Sequence, residues 1–166
     1  AYCLADPQNP APSAGLKNEI EDFQTVLNYA KSLKTIDPSR LAIAGKSMGS
    51  GVAYSAFAKD PSVKALALLT PICPDAAACE KNYPGIKKDS RPVLMAMGDK
   101  DDACPLSVLF DFLKDAKGGI WVSVAGGDHG FRIKKSDDSI DQARTQRNIE
   151  TVANGLLKWA DLKLNR

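Results

Sequence analysis

The sequence predicts one α/β domain, residues 1–166, built on a mostly parallel β-sheet with helices on both faces. Strand-like and helix-like segments alternate along the chain, which is the arrangement that produces such a sheet. The strand-like segments at 63–69 and 92–97 are apolar runs without alternation, interrupted only by Lys64, as expected for strands that are covered on both sides. A chain of 166 residues is long enough to bury a substantial core.

The first regular element is an amphipathic helix that begins near Leu16. Its apolar residues recur at steps of four and three, so one face is predicted to be buried. Pro38 ends the helix, and the turn around this proline leads into a strand at 40–44. The apolar positions of the helix are Leu16, Ile20, Phe23, Leu27, Ala30 and Leu33.

The strand at 40–44 runs directly into a sharp turn with Ser47 at its apex. The turn has the pattern Gly-x-Ser-x-Gly, and small residues at helical spacing follow it. A serine on such a turn has a strained backbone, and Gly45 and Gly49 are predicted to need the absence of a Cβ atom there. The hydroxyl is then held at the amino end of a helix, where the N–H of Met48 is predicted to stabilise an oxyanion. A glycine- and serine-rich turn without chemistry is the alternative interpretation.

The rest of the chain continues the alternation. Residues 70–91 are rich in proline and have no strong period, so we expect a surface loop or broken helix that lies over Ser47. The later elements are a strand at 92–97, a helix from Pro105 to about Lys114, a strand at 120–124 and a final helix at 139–164. The packing side of the final helix is predicted to comprise Ile140, Ala143, Ile149, Val152, Leu156 and Ala160.

Polar side chains follow three of the predicted strands. They are Ser47, an aspartate in the segment after Met97, and His129. Ligands of parallel sheets bind beyond the carboxyl ends of the strands, so these side chains are candidates for one site. Their order, Ser, Asp, His, is the chain order of α/β-hydrolases and differs from the order in the other folds that carry such a triad.

Acyl transfer gives each candidate a role. A serine hydroxyl is a poor nucleophile near neutral pH, so Ser47 needs a base, and His129 is the only histidine in the chain. An acid must then orient the imidazole and stabilise its charged form. In hydrolases of this architecture the acid stands three residues after a glycine and shortly before a proline, which favours Asp101. Asp99 and Asp102 remain rivals.

Asp128 is a poor candidate for the acid. It precedes His129 directly, and a sequence neighbour seldom directs its carboxylate at the far ring nitrogen. The acidic run at 99–102 also has an alternative interpretation as a solvated turn.

Three motifs together resemble one branch of the α/β-hydrolases. They are Gly-Lys-Ser-Met-Gly-Ser at 45–50, Gly98-x-Lys-Asp-x-x-Cys-Pro-Leu at 98–106, and Gly-Gly-Asp-His-Gly-Phe at 126–131. The branch is the testis-expressed type, which is related to dienelactone hydrolases and to the hydrolase-like subunit of a nuclear histone-acetyltransferase complex, the NSL complex. The resemblance covers about residues 16–165. Family members commonly have serine where this chain has Gly130.

The resemblance implies an α/β-hydrolase fold and a serine hydrolase that cleaves an ester or related acyl bond without a cofactor. It implies Ser47 as nucleophile, Asp101 as acid and His129 as base. Related proteins begin with further strands and a His-Gly-x-Gly-like loop that supplies a second oxyanion donor, and residues 1–15 resemble neither. We therefore expect the serine-bearing strand to lie at an exposed sheet edge. A partner chain, a missing amino-terminal segment or residues 2–5 would cover it.

Composition leaves small-molecule chemistry or protein contact as the expected classes of function, and the serine hydrolase interpretation makes a small-molecule acyl substrate the expected partner. The 22 Lys and Arg and the 20 Asp and Glu are interspersed and give a net charge of +2, so no basic stripe predicts nucleic-acid binding. No apolar run approaches the ~20 residues of a membrane span. We expect a cytoplasmic protein. The absence of an opening charged-then-apolar segment contributes little to this expectation, because the chain is expected to start within the domain.

The cysteines predict no metal site. Four cysteines contain no Cys-x-x-Cys pair and only one histidine accompanies them, so no metal is expected. The acyl-enzyme mechanism needs no organic cofactor either. Cys73 and Cys79 are close enough in sequence for a small disulfide loop, with free thiols as the alternative. Cys104 is expected to be a small packing residue.

A different class of function is also compatible with the sequence. The nuclear-complex relatives suggest a hydrolase-like interaction domain that has lost turnover. The complete Ser47, Asp101 and His129 set argues against this alternative. The expectation that the domain is incomplete at its amino end argues for it. A peptidase is a third option, but no added domain to select peptides is visible.

Overall fold

The computed structural model describes residues 11–116 and 119–165 and confirms the predicted α/β architecture. Four parallel strands form one sheet in the order β1-β2-β3-β4. The strands are β1 (Leu41–Lys46), β2 (Val63–Leu69), β3 (Val93–Gly98) and β4 (Gly119–Val124). The helices are α1 (Lys17–Ser32), α2 (Met48–Lys59), α3 (Ala76–Asn82), α4 (Leu106–Leu113) and α5 (Gln142–Leu164), and a 3-10 turn at Ala14–Leu16 precedes α1.

Helices pack against both faces of the sheet. One face carries the larger core, in which Leu27 of α1, Phe57 of α2 and Leu109 of α4 meet Leu66 and Met95 of the sheet. Helix α5 covers the other face, where Trp159 and its neighbours pack against small strand residues such as Ala65 and Ala67. Because β2 and β3 are covered on both sides, their residues are apolar except for the exposed Lys64 near the start of β2, and all six residues of β3 are buried.

Strand β1 lies at one edge of the described sheet. It pairs with β2 alone among the described strands, and only Ile43 of its six residues is buried. Ala44 is exposed even though its register partner on β2, Ala67, is buried. The predicted cover by residues 2–5 lies outside the described part of the chain.

Helix α5 packs through part of its predicted face, since Val152 is buried and Leu156 and Ala160 pack against the core. Its buried residues are Thr145, Val152 and Trp159, whereas Ala143 and Ile149, predicted to pack, are exposed. The seven-residue spacing of the buried set places it on one side of the helix, with the large Trp159 ring against β2. Apolar character alone did not reveal that a threonine faces the core, where its hydroxyl accepts a hydrogen bond from the N–H of Ile133 at 2.9 Å.

The proline-rich segment contains a short helix and a disulfide. Asp75 caps α3 by accepting a hydrogen bond from the N–H of Ala78 at 2.8 Å. Cys73 and Cys79 form the disulfide, so the structure selects the bridged form over free thiols. Cys104 is a buried free cysteine, and burial raises its pKa to about 12.

No helix among the described residues combines the length and the apolar character that crossing a membrane requires.

Candidate active site

Ser47 occupies a strained turn between β1 and α2. Its φ of 53° and ψ of −125° lie outside the regions that residues with a side chain normally adopt. Two backbone hydrogen bonds hold it, from the Ser47 N–H to the Leu69 carbonyl at 2.9 Å and from the Ser50 N–H to the Ser47 carbonyl at 2.9 Å. The predicted backbone strain is therefore present.

The two glycines of the turn are not equivalent. A Cβ atom on Gly45 would lie 2.0 Å from the carbonyl oxygen of Gly49, so only glycine fits at 45. A Cβ atom on Gly49 would meet nothing within 4 Å, and the prediction that Gly49 must lack one is wrong. The two glycines differ because they point in different directions. The Cβ position of Gly45, at the end of β1, faces the backbone of the first turn of α2, whereas that of Gly49 faces open space.

The loop after β3 brings Asp101 to the same edge of the sheet. The Asp101 side chain is fully buried, and one of its oxygens accepts a hydrogen bond from the N–H of Ala103 at 3.0 Å. Gly98 packs so closely on the next loop that a Cβ atom there would lie 1.9 Å from the carbonyl oxygen of Gly127. The N–H of Lys100 donates to the same carbonyl at 2.9 Å. These contacts join the Asp101 loop to the loop that carries His129.

His129 lies between Asp101 and Ser47. Its Nδ1 atom is 3.0 Å from each carboxylate oxygen of Asp101, and its Nε2 atom is 2.8 Å from the hydroxyl of Ser47. An ionised carboxylate only accepts hydrogen bonds, so Nδ1 carries the proton and Nε2 is the acceptor for the serine hydroxyl. The structure thus brings the three sequence-predicted residues into one hydrogen-bonded chain.

The rival carboxylates have other contacts. Asp99 accepts a hydrogen bond from the N–H of Gly126 at 2.7 Å, and Asp102 is exposed. Asp128 accepts from the N–H of Gly130 at 2.7 Å and forms an ion pair with Arg132. Asp99 and Asp128 shape the backbone around His129, and only Asp101 contacts its ring.

Lys46, which precedes the serine, is a site residue that the sequence did not reveal. Its ammonium group donates a hydrogen bond to the backbone carbonyl of His129 at 3.1 Å. Burial lowers the pKa of Lys46, and the carboxylates of Asp101 and Asp128 oppose that change. Its place between Gly45 and Ser47 was the available signal, since the last side chain of a strand projects near the same sheet edge.

A cavity of about 470 Å³ opens beside Ser47. It lies between the start of α1, the turn at Ser47 and residues 70–84, which we call the cap segment. Residues 70–91 are predicted to lie over Ser47, and residues 72 and 81–83 of this segment do line the cavity together with Ser47. Representative lining residues are Leu16, Ile20, Met48, Ile72, Lys81 and Tyr83.

A buried hydrogen-bonded chain fastens the cap segment to the serine turn. The Ser50 hydroxyl donates to the Ser47 carbonyl, so it accepts from the Tyr83 hydroxyl, 2.7 Å away. The Tyr83 oxygen in turn accepts from the N–H of Ile72 at 3.2 Å. Burial raises the pKa of Tyr83 to about 12, which keeps the donor protonated. The sequence contained no signal for this contact between residues 33 positions apart.

No group of three or more His, Cys, Asp and Glu side chains suited to hold a metal ion occurs in the part of the chain that the structure describes.

Comparison with known proteins gives the family. The model of the alpha/beta hydrolase domain family matches residues 8–160. The chain belongs to this family. That match covers every described strand and also Ser47, Asp101 and His129. The α/β-hydrolase fold expected from the sequence is therefore confirmed.

Individual curated relatives match only part of this α/β-hydrolase domain. It is 35% identical over 57 residues to the quorum-quenching protein AidA of Acinetobacter baumannii (strain MDR-ZJ06), a match that covers 34% of this chain and 19% of that protein. It is 29% identical over 90 residues to the thiohydrolase apmlB of Arthrinium phaeospermum, covering 50% of this chain and 28% of that protein. The matched segments thus span less than a third of each curated relative.

A solved structure shows the same fold over more of the α/β-hydrolase domain. Est1E from Butyrivibrio proteoclasticus, in its complex with ferulic acid, superposes with a TM-score of 0.66 at 20% sequence identity. The superposition covers 90% of this chain and 71% of that one.

Proposed function

We propose that this domain, residues 1–166, is a serine hydrolase that cleaves an ester or related acyl bond through an acyl-enzyme intermediate. The observation that carries the proposal is the hydrogen-bonded chain from Ser47 through His129 to Asp101. Family membership supports hydrolytic chemistry in general, and the name of one relative, a thiohydrolase, indicates that thioesters belong among the substrates to test.

The geometry supports a specific order of steps. The Nε2 atom of His129 takes the proton of the Ser47 hydroxyl as its oxygen attacks the carbonyl carbon of the substrate. The imidazolium that forms is stabilised by Asp101, whose carboxylate is buried against it. His129 then gives the proton to the leaving group, and a water molecule repeats the sequence on the acyl-enzyme.

Met48 is the proposed oxyanion donor. It is the first residue of α2, where backbone N–H groups have no partner within the helix. The helix dipole also favours negative charge at this end. A second donor contributes about 10²–10³ in rate where it is present, and we propose that it comes from a segment outside the described residues.

Within the family, we propose that the domain belongs to the testis-expressed-type branch, which is related to dienelactone hydrolases. The support is the set of three motifs at 45–50, 98–106 and 126–131. A His-Gly-x-Gly loop encoded immediately upstream of Ala1 would support this placement.

The test of the proposed function is covalent labelling by a fluorophosphonate probe, with the labelled residue located by mass spectrometry. We expect Ser47 to be labelled, Ser47→Ala to be unreactive, and Asp101→Asn to react about 10³–10⁴ times more slowly. Circular dichroism on each variant verifies that it is folded. A folded protein in which Ser47 does not react at mildly alkaline pH contradicts the proposal.

The second candidate is a non-catalytic interaction domain that binds a partner chain through β1. It is favoured by the position of β1 at the edge of the described sheet and by the exposure of Ala44. An unreactive Ser47 in a folded protein, together with a stable complex that Ala44→Asp abolishes, would favour this candidate. A reactive Ser47 with measurable ester turnover would reject it.

A further inference from the structure

Lys81 is the only charged side chain among the described residues that line the cavity beside Ser47. The other lining residues are apolar, small, or carry a hydroxyl or an amide. Lys81 belongs to the last turn of α3 and is exposed, so it lines the cavity from the side that is open to solvent.

The charge of Lys81 is not neutralised within the described part of the chain. None of the ion pairs there includes it. Its neighbour Glu80 pairs with Lys87 at 3.6 Å, and Asp75 caps the other end of α3. A cation in the same cavity lining as the candidate nucleophile Ser47 is therefore available to a ligand.

The backbone around Lys81 is held in place. Cys79 is joined to Cys73 by the disulfide, and the side-chain amide of Asn82 donates to the carbonyl of Ile72 at 2.8 Å. Tyr83 is anchored through its hydrogen bond with the Ser50 hydroxyl. With these contacts on both sides, the backbone of Lys81 is held near the turn at Ser47, and its exposed side chain is free to reach a ligand.

We propose that Lys81 binds a carboxylate of the substrate, so that the domain prefers esters that carry a free anionic group at a distance from the scissile bond. This inference rests on the proposed serine hydrolase function. Apolar lining such as Leu16, Ile20 and Ile72 suits the hydrocarbon part of such a substrate, and the ammonium group suits its charged end. A monoester of a straight-chain dicarboxylic acid has both features.

An alternative role for Lys81 predicts a different result. A lysine in the last turn of a helix also interacts favourably with the carbonyl end of that helix. That role affects only the stability of α3 and leaves the choice of substrate unchanged, so substrate preference separates the two roles.

The test compares aryl monoesters of dicarboxylic acids of increasing length with their methyl-capped, uncharged counterparts. For each pair the ratio of kcat/KM values measures the preference for the anion. We expect the wild-type ratio to exceed one at the best chain length. It should fall about fivefold in Lys81→Gln, persist in Lys81→Arg, and weaken at high ionic strength because the pair is exposed.

Lys88→Gln is the matched control. Lys88 is also exposed and follows the cap segment closely, but it does not line the cavity. The Lys88→Gln substitution removes one positive charge, as Lys81→Gln does, and should leave the ratio of kcat/KM values for charged and uncharged esters unchanged. A second set of substrates, with the carboxylate in the alcohol part, identifies the side of the ester that faces Lys81.

The outcomes separate this inference from the proposed function. If neutral esters are hydrolysed and Lys81→Gln changes the ratio no more than Lys88→Gln does, the inference is wrong while the serine hydrolase proposal stands. If the folded protein hydrolyses neither set, the proposed function is wrong and the inference falls with it.

Discussion

The backbone of Ser47 is strained, and this strained conformation directs its hydroxyl toward His129. A residue with a side chain at such backbone angles costs about 1–3 kcal/mol, so surrounding contacts must hold it there. The hydrogen bonds to Leu69 and from Ser50 do so, and the close approach of Gly45 to the first turn of α2 leaves the chain no room to relax. The result is a hydroxyl aimed at His129.

The glycines of this turn give the first prediction. Gly45→Ala should destabilise the fold by about 3 kcal/mol, because its Cβ atom would overlap the backbone of Gly49. Gly49→Ala, the matched variant, should leave stability unchanged or raise it by up to ~1 kcal/mol, since it adds a helix former in open space. Chemical denaturation measures both, and equal losses in the two variants would contradict the geometry.

Lys46 gives the second prediction, as a positioning residue for His129. Lys46→Met should slow phosphonate labelling and ester turnover about tenfold, because it removes a charged donor from the His129 carbonyl. KM should change little. Lys46→Arg retains a donor and should recover most of the rate. If the arginine variant is as slow as the methionine variant while both are folded, the hydrogen bond is not the reason.

At the scale of elements, the cap segment is held to the rest of the domain by few but specific contacts. The disulfide closes a short loop at its start, α3 follows, and Tyr83 connects it to the turn at Ser47. The N–H of Cys73 also donates to the carbonyl of Ala103 at 3.0 Å, which links the cap segment to the Asp101 loop. The segment therefore contacts both loops of the site, and its stability bears on substrate binding.

The disulfide gives the third prediction. Replacing Cys73 and Cys79 by serine should cost about 2 kcal/mol, the value expected for a loop of this length, and lower Tm by roughly 5 °C. Reduction of the wild-type protein should have a similar effect, and the double variant should be insensitive to reductant. Cys104 should not exchange with the bridge, because burial raises the pKa of its thiol to about 12. Calorimetry with and without reductant tests this.

The contact between α1 and the end of α2 gives the fourth prediction. A hydrogen bond from Lys31, with a further one from Ser62, lowers the pKa of Asp60 from 3.8 to about 2. Between about pH 4 and pH 2, Asp60 therefore binds fewer protons in the folded state than in the unfolded state. Its ionised carboxylate stabilises the fold fully above about pH 4, and this contribution is lost as the pH falls through about 2. Asp60→Asn should cost about 1 kcal/mol at neutral pH and reduce the acid dependence of unfolding. An unchanged acid dependence would contradict the assigned contact.

At the scale of the whole molecule, the sheet is unequally covered. Strands β2 and β3 are enclosed by helices, whereas β1, which leads into Ser47, lies at an edge of the described sheet. Strands at an edge present unpaired backbone groups that favour association with a further strand. Because β1 leads into Ser47, pairing of β1 with a further strand would affect the surroundings of the candidate nucleophile.

The fifth prediction uses two alanines that are neighbours in register. Ala44 on β1 and Ala67 on β2 are paired, but only Ala67 is buried. Ala67→Asp should destabilise the fold by several kcal/mol, because it buries a charge without a partner. Ala44→Asp should change stability by less than about 0.5 kcal/mol. A large loss at Ala44 in thermal unfolding would show that this part of β1 is covered in solution.

The sequence by itself determined the order of the strands and helices, the turn at Ser47, and the Ser, Asp, His order along the chain. These features are local: apolar runs, glycine and proline positions and helical spacing are properties of neighbouring residues. Strand bounds were close for the same reason, although β1 continues to Lys46, two residues beyond its prediction.

Only the tertiary structure decided what Lys46 and the cap segment contact and that Thr145 of α5 faces the core. For the acid, the spacing from Gly98 to Pro105 already favoured Asp101 over Asp99 and Asp102, and the structure places the Asp101 carboxylate 3.0 Å from Nδ1 of His129. The contacts of Lys46 with His129 and of Tyr83 with Ser50 join residues 83 and 33 positions apart. Such contacts depend on how distant segments pack together, and no local pattern in the chain carries that information.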